Sequence, residues 1–216
     1  MMSSDLSKAL FPRHRIRISH VTVLGAIPNG QTTVLVQTAL ALDPQYFEVM
    51  FITTQAPDWE SEHVRELAQR LIGVVHVKLS IQKSLMTKYG QDPSTVIREL
   101  GKQYESTGNV DPDLYQLIRP LIAALRGSDI MTFTNIVSSI DTDKALTVAA
   151  ALAGVKHRLC DPGNLVDTEP MLLGVTGLLV PSFVAREHWL QVLQPGNQSV
   201  ATPRIHVVQP GAGRSD

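Results

Sequence analysis

Alternation of strands and helices along most of the chain predicts an α/β fold: three layers around a mostly parallel sheet of about seven strands. Two observations carry this. Short β-branched runs recur between segments of helical spacing, and the first such run leads through a glycine loop into a helix.

The opening unit is Ile16 to Leu42. Ile16 to Leu24 is β-branched and too short for a typical helix, so it reads as a strand. Gly25-Ala26-Ile27-Pro28-Asn29-Gly30-Gln31 is the loop, its glycines permitting backbone angles that other residues resist. Thr32 to Leu42 follows as a helix, with Val34, Leu35, Thr38, Ala39 and Leu42 at helical spacing. Asp43-Pro44-Gln45 breaks it, and Tyr46 to Thr53 is a second strand. Ser61 to Leu71 is a helix that Gly73 stops, and Val74 to Leu79 a third strand. Ile81 to Gly108 is broken by Tyr89-Gly90, Asp92-Pro93 and Thr107-Gly108, with a helix predicted over Thr95 to Tyr104. Asp111-Pro112 starts a helix that Pro120 should kink. Ser128 to Phe133 is a fourth strand and Asp141 to Ala153 a small-residue helix ending at Gly154. His157 to Cys160 is a fifth strand, closed by the turn Asp161-Pro162-Gly163-Asn164. Gly177 to Val180 is a sixth; Ser182 then caps a helix carrying Val184, His188, Leu190 and Leu193. Arg204 to Val208 is the seventh. The pattern is Rossmann-like, which places a ligand crevice at the carboxyl ends of the strands.

Composition narrows the class. The 216 residues suffice for one large domain with a real core. A 44% hydrophobic and 18% charged composition is that of a globular protein. The net charge of −1 argues against a nucleic-acid surface. A single cysteine, Cys160, suits a reducing compartment, and the expectation is a cytoplasmic protein. Residues 1–15 are a polar lead-in without the apolar core of a signal peptide. No apolar run is long enough to span a bilayer, and peripheral membrane contact is compatible with the sequence.

The glycine loop can be tested against known motifs. Gly25, Gly30, Gln31 and Thr32 fit G-x-x-x-x-G-K-[ST] except at the lysine, which Gln31 replaces. This leaves a degenerate P-loop as the least favoured reading. The dinucleotide motif G-x-G-x-x-G fails. The seven histidines show no helical metal spacing, no G-x-S-x-G occurs, and no metal or cofactor is expected. Gly25, Asn29, Gly30 and Gln31 are candidate ligand contacts, because free N–H groups and the dipole at a helix start attract anions. Asn135, Asp161, Ser182 and Arg186 are further candidates at strand ends or helix starts. Each also has a local reading: turn and cap for the loop residues, Asn135 and Asp161, a solvated surface for Arg186.

The order of motifs resembles the N-terminal domain of a family 4 glycosyltransferase of the GT-B class. Gly25 to Leu42 with Phe47-Glu48-Val49 resembles the family's glycine loop, first helix and second strand. Ser128-Asp129-Ile130-Met131 resembles the strand before its acceptor loop, and Ala149 to Val155 the helix end that follows. Gly177 to Arg186, with Arg204 to Gly211, resembles its final strand, helix and interdomain hinge. The resemblance implies a Rossmann-like acceptor-side domain over 16–208 and the start of a hinge over 209–216, with the C-terminal donor domain absent. It implies transfer of a hexose from a nucleotide-diphosphate sugar, with retention, to a sugar, lipid or small-molecule acceptor. The donor half would be supplied in cis or by a partner chain. Catalytic residues are not assigned. The chain departs from the family in having Thr132 and Thr134 where histidines are frequent, no histidine beside Asp161, and no two glutamates eight apart. A non-catalytic binding domain derived from the same fold is the alternative.

Overall fold

The computed structural model describes residues 14–25, 30–79, 81, 83–90, 95–96, 99–100, 103–104, 107–134, 140–162, 174–192 and 204–208. The polar lead-in up to residue 13 and the hinge-like end from residue 209 lie outside them. The strands are β1 (Ile16–Val21), β2 (Phe47–Thr53), β3 (Gly73–His76), β4 (Ile130–Thr134), β5 (His157–Asp161), β6 (Gly177–Val180) and β7 (Arg204–Val207). The described helices are α1 (Gly30–Ala41), α2 (Glu62–Gln69), α3 (Lys83–Tyr89), α4 (Pro112–Leu125), α5 (Ile140–Leu152) and α6 (Phe183–Val192). Helical residues also occur at 95–96, 99–100 and 103–104, inside the expected helix. None of the described helices is long and apolar enough to cross a membrane.

All seven strands form one sheet in the order β3-β2-β1-β4-β5-β6-β7, every neighbour parallel. Alternation along each strand sends neighbouring residues to opposite faces. Phe51 packs under α1 and α2 with Leu35, Val36, Ala39, Val64 and Leu67. Ile52, Met131 and Phe133 belong to the other layer of the core, to which α4, α5 and α6 contribute Ile118, Leu121, Ala149 and Trp189 among others. The fold is the expected three-layer Rossmann-like domain. Val23 and Val77, expected inside strands, lie just past the ends of β1 and β3.

β1 is an interior strand of the sheet, yet it carries polar residues: Ser19 and His20 within it and Thr22 just past its end are all buried. Each is matched across the β1–β4 pair. Ser19 Oγ meets Ser128 Oγ at 2.7 Å, His20 Nδ1 meets Thr132 Oγ1 at 2.5 Å, and Thr22 Oγ1 meets Thr134 Oγ1 at 3.3 Å. At the amino end Arg17 N–H donates to Asp129 Oδ2 and Asp129 N–H returns to Arg17 O, both at 2.9 Å. A polar seam therefore runs the length of this strand pair.

Several local expectations are corrected. α1 buries Thr32, Leu35, Val36 and Ala39, leaving Val34 exposed; its apolar residues surround most of the helix, so spacing alone did not fix the inner face. α6 likewise buries Ala185 and Trp189, while Val184 is 76% exposed. α3 falls in the stretch where no helix was expected before residue 95. The helix expected from Asp111-Pro112 is α4, and it continues through Pro120, which is solvent-exposed, so water can reach the carbonyl that loses its donor. Asp161 belongs to β5 as its last residue, one beyond the expected strand end, and the expected turn continues outside the described residues from Gly163.

α2 is not stopped by Gly73, which belongs to β3. It ends at Leu71, whose φ of 58° is left-handed. Leu71 N–H donates to Ala68 O at 3.0 Å and Ile72 N–H to Leu67 O at 2.9 Å, the paired bonds of a Schellman cap. Glycine normally fills this position; Gly154 does so after α5, with φ 80°. Leucine there is strained by about 1–2 kcal/mol. Leu71→Gly should therefore raise unfolding free energy by about 1 kcal/mol in urea denaturation; an unchanged or lower midpoint would refute the strain.

The seam yields a pH prediction. His20 is 3% exposed, its ring 5.0 Å from that of Phe51, and its Nε2 is buried without a partner among the described residues. Burial pushes its imidazole down from 6.5 to about 4. The folded state thus resists a proton that the unfolded chain accepts. This component is complete above pH ~6.5, shrinks as pH falls, and is exhausted by pH ~4, a loss of about 3 kcal/mol. The double variant His20→Leu, Thr132→Val should lack this part of the pH dependence in denaturation at pH 7 and pH 4.5.

Candidate functional site

Crossovers from β1 and β4 run toward opposite edges, so the strand order reverses between these two strands. In open α/β sheets such a switch point forms a crevice at the carboxyl ends of the strands. Here it receives the start of α1. Thr22 Oγ1 lies 3.0 Å from Thr32 Oγ1 and 3.3 Å from Thr134 Oγ1, and Thr32 Oγ1 donates to Val23 O at 3.2 Å. These hydroxyls join β1, β4 and α1 just below the crevice. Gln31 Nε2, on the adjacent helix residue, donates to Asp161 Oδ1 at 3.3 Å, across from the end of β5. Two candidates that lie far apart in sequence are thereby joined.

Gly25 and Gly30 do not adopt the left-handed backbone that the sequence suggested. A Cβ added to either would meet nothing within 4 Å among the described residues. Their use is open space beside the main chain, which lets another group approach closely. Asn29 and Asn135 lie outside the described residues. Ser182 Oγ accepts from Ala185 N–H at 3.1 Å, the expected cap of α6. It follows β6, the neighbour of β5, on the same rim. Arg186 Nη1 is paired with Glu187 Oε1 at 2.8 Å on the surface.

The electrostatics are specific. α1 has no acidic residue in its first turn. The carboxylate near its start arrives from β5, through Gln31. Among the described residues no group of three His, Cys, Asp or Glu could hold a metal ion. Two shallow hollows, of about 400 and 440 Å³, are lined by Gln37, Glu62, Arg65, Glu66 and Gln69. They lie on α1 and α2, away from the crevice. The threonine cluster was missed in sequence, although polar residues inside a central parallel strand were a signal, since such strands are normally apolar on both faces.

No protein-family model matches the chain, and no curated protein matches it.

Substitution at Gly30 tests the open space. Gly30→Val should leave the far-UV spectrum and melting temperature close to the parent's, because no described atom is within 4 Å of the added carbon. It should weaken any ligand of this loop by tenfold or more, measured by calorimetry. Unchanged affinity would leave the loop a purely structural role.

Proposed function

We propose that this chain is the acceptor-side domain of a nucleotide-sugar-dependent glycosyltransferase of the GT-B class. The observation that supports this best is the Gln31–Asp161 pair at the switch-point crevice, beside the glycine-flanked start of α1. A carboxylate accepts from hydroxyls and a carboxamide both donates and accepts, so the pair suits neighbouring hydroxyls of a sugar or other polyol. Gly25 and Gly30 leave room for a donor's diphosphate to approach the start of α1, where the helix dipole favours an anion. Catalysis in the assembled enzyme is then chiefly positioning of the acceptor and electrostatic stabilisation of the leaving diphosphate. Donor-binding groups would come from a second domain in cis or from a partner chain. The reading places the protein in the cytoplasm, consistent with its lone, buried Cys160.

The second reading, a non-catalytic binding domain of the same descent, draws on the same pair. The histidine that is frequent in the family near this position is missing beside Asp161, and Gln31 engages the carboxylate instead. Such a domain would hold a polyhydroxyl ligand without transferring a sugar to it.

Titration with saccharides, followed by amide NMR, should shift Gln31, Thr32 and Asp161 first. Asp161→Asn should weaken that binding about tenfold, the scale of one hydrogen bond to a charged group. Shifts confined to other regions would remove the acceptor assignment. Calorimetry with UDP-, GDP- and ADP-sugars should find only weak or undetectable binding to this chain; micromolar affinity would contradict the acceptor-side assignment.

A further inference from the structure

Asp161 reaches Gln31 of α1, so its side chain lies on the face of the sheet that α1 covers. Side chains alternate along a strand, which sends Leu159 to this face and Cys160 to the other. On that other face Cys160 is buried with Leu178 and Val180, in the core to which α4, α5 and α6 contribute. Register carries the assignment outward. Leu159 pairs with Gly177, and Gly177 with Arg204. Cys160 pairs with Leu178, which sets Asp161 beside Leu179, and Leu179 pairs with His206. A Cβ built on Gly177 would meet Leu159 Cδ2 at 3.0 Å and His206 Cδ2 at 3.3 Å, so these three residues adjoin. Among the described residues, Leu159 and Leu179 join neither core cluster, and both are only half-buried. The face therefore stays open beside α1, over β5, β6 and β7. It is also polarised. Asp161 is the one carboxylate among the residues of these three strands, and it stands at the α1 side. Arg204 and His206, on the outermost strand, are exposed and have no partner among the described residues.

We propose that the polyol held at Gln31 and Asp161 carries an anionic substituent, phosphate or carboxylate, which Arg204 and His206 bind across a floor of Leu159, Gly177 and Leu179. The inference rests on the acceptor reading above and specifies its substrate class. Two strand spacings, about 10 Å, separate Asp161 from His206, enough for one sugar ring with a charged group beyond it. Repulsion between that group and the Asp161 carboxylate is about half what it would be at 5 Å, and salt screens it further. Arg204 and His206 are two residues apart on one face, about 7 Å between Cα atoms, so both can close on a single anion. Arg204 keeps its charge at every working pH and its guanidinium matches the oxygens of a phosphate or carboxylate; His206 adds a ring N–H. Between the polar ends, the half-buried leucines offer apolar carbon to the C–H face of a sugar ring. Gly177 keeps this floor low, because any side chain there would press on Leu159 and His206.

Glucose, glucose 6-phosphate and glucuronate are the probes. In calorimetry the two charged sugars should bind at least tenfold tighter than glucose, the scale of hydrogen bonds to a charged group. Arg204→Gln with His206→Gln should erase that advantage and leave the glucose affinity unchanged. Both residues are exposed, so the double variant should keep the parent's melting temperature. In amide NMR, glucose 6-phosphate should shift Gly177, Arg204 and His206 together with Gln31 and Asp161, whereas glucose should shift only the last two. Co-sedimentation with phosphatidylcholine vesicles, with and without phosphatidylglycerol, separates the sources of this chemistry: retention on the anionic vesicles that the double variant loses would assign the site to a lipid headgroup joining hydroxyls to phosphate. Equal affinity for the three sugars, or a preference for the charged ones that survives the double variant, would overturn the inference and leave the acceptor reading standing. Failure of all three sugars to shift Gln31 or Asp161 would remove the acceptor reading and this inference with it.

Discussion

The junction between β1 and β4 is the constraint on which the rest of the fold depends. Parallel strands in a covered sheet are usually aligned by apolar packing alone, which tolerates many similar arrangements. Here Ser19–Ser128, His20–Thr132 and Thr22–Thr134 add three buried side-chain hydrogen bonds across one pair. A slip by one residue would turn every one of these groups to the other face and leave it unpaired in the core. The cost of leaving these paired groups unsatisfied in the core, about 1–3 kcal/mol each, falls on the wrong registers. Arg17 and Asp129 close the amino end in the same sense.

That seam also explains where the crevice lies. It begins with the closed Ser19–Ser128 contact and passes the buried His20. It ends at Thr22, where a third partner, Thr32, enters from α1. The hydroxyl cluster thus fixes the start of α1 against the two strands where the topology reverses. One residue earlier in the helix, Gln31 reaches the end of β5. Register, helix placement and candidate site are consequences of one line of polar residues. His20 exacts a cost, since its Nε2 has no partner among the described residues.

Much of the architecture was legible because its signals are local. β6 at Gly177–Val180, the Ser182 cap, and the Asp111-Pro112 start of α4 each follow from a few adjacent residues. Errors arose where local signals were ambiguous. In α1, Val34, Leu35 and Val36 are consecutive, so only packing against Phe51 decides which point inward. Gly73 looked like the end of α2 because glycine is the usual cap residue, whereas the chain makes that turn with Leu71. The seam was illegible for a different reason: its partners are more than 100 residues apart, as with the separation of 112 between His20 and Thr132. The pairing of Gln31 with Asp161 was hidden in the same way, although both residues were singled out individually.

The position of Asp161 bears on what the crevice can hold. A helix start favours an anion by about 0.3–1 kcal/mol when partly exposed. A phosphate oxygen brought within about 5 Å of an ionised carboxylate would meet roughly 3 kcal/mol of repulsion at an effective dielectric of ~20. Beside Asp161 the repulsion wins, and a neutral hydroxyl-rich group is preferred. The attraction of α1 can act on an anion only where the carboxylate is farther away. Under the proposed reading the two ligands of a sugar transfer are therefore sorted by charge: the polyol acceptor against Gln31 and Asp161, the diphosphate toward the open backbone at Gly25 and Gly30. A carboxylate from β5 then serves selectivity as well as completing the helix start, and removing its charge while keeping its shape would blur that division.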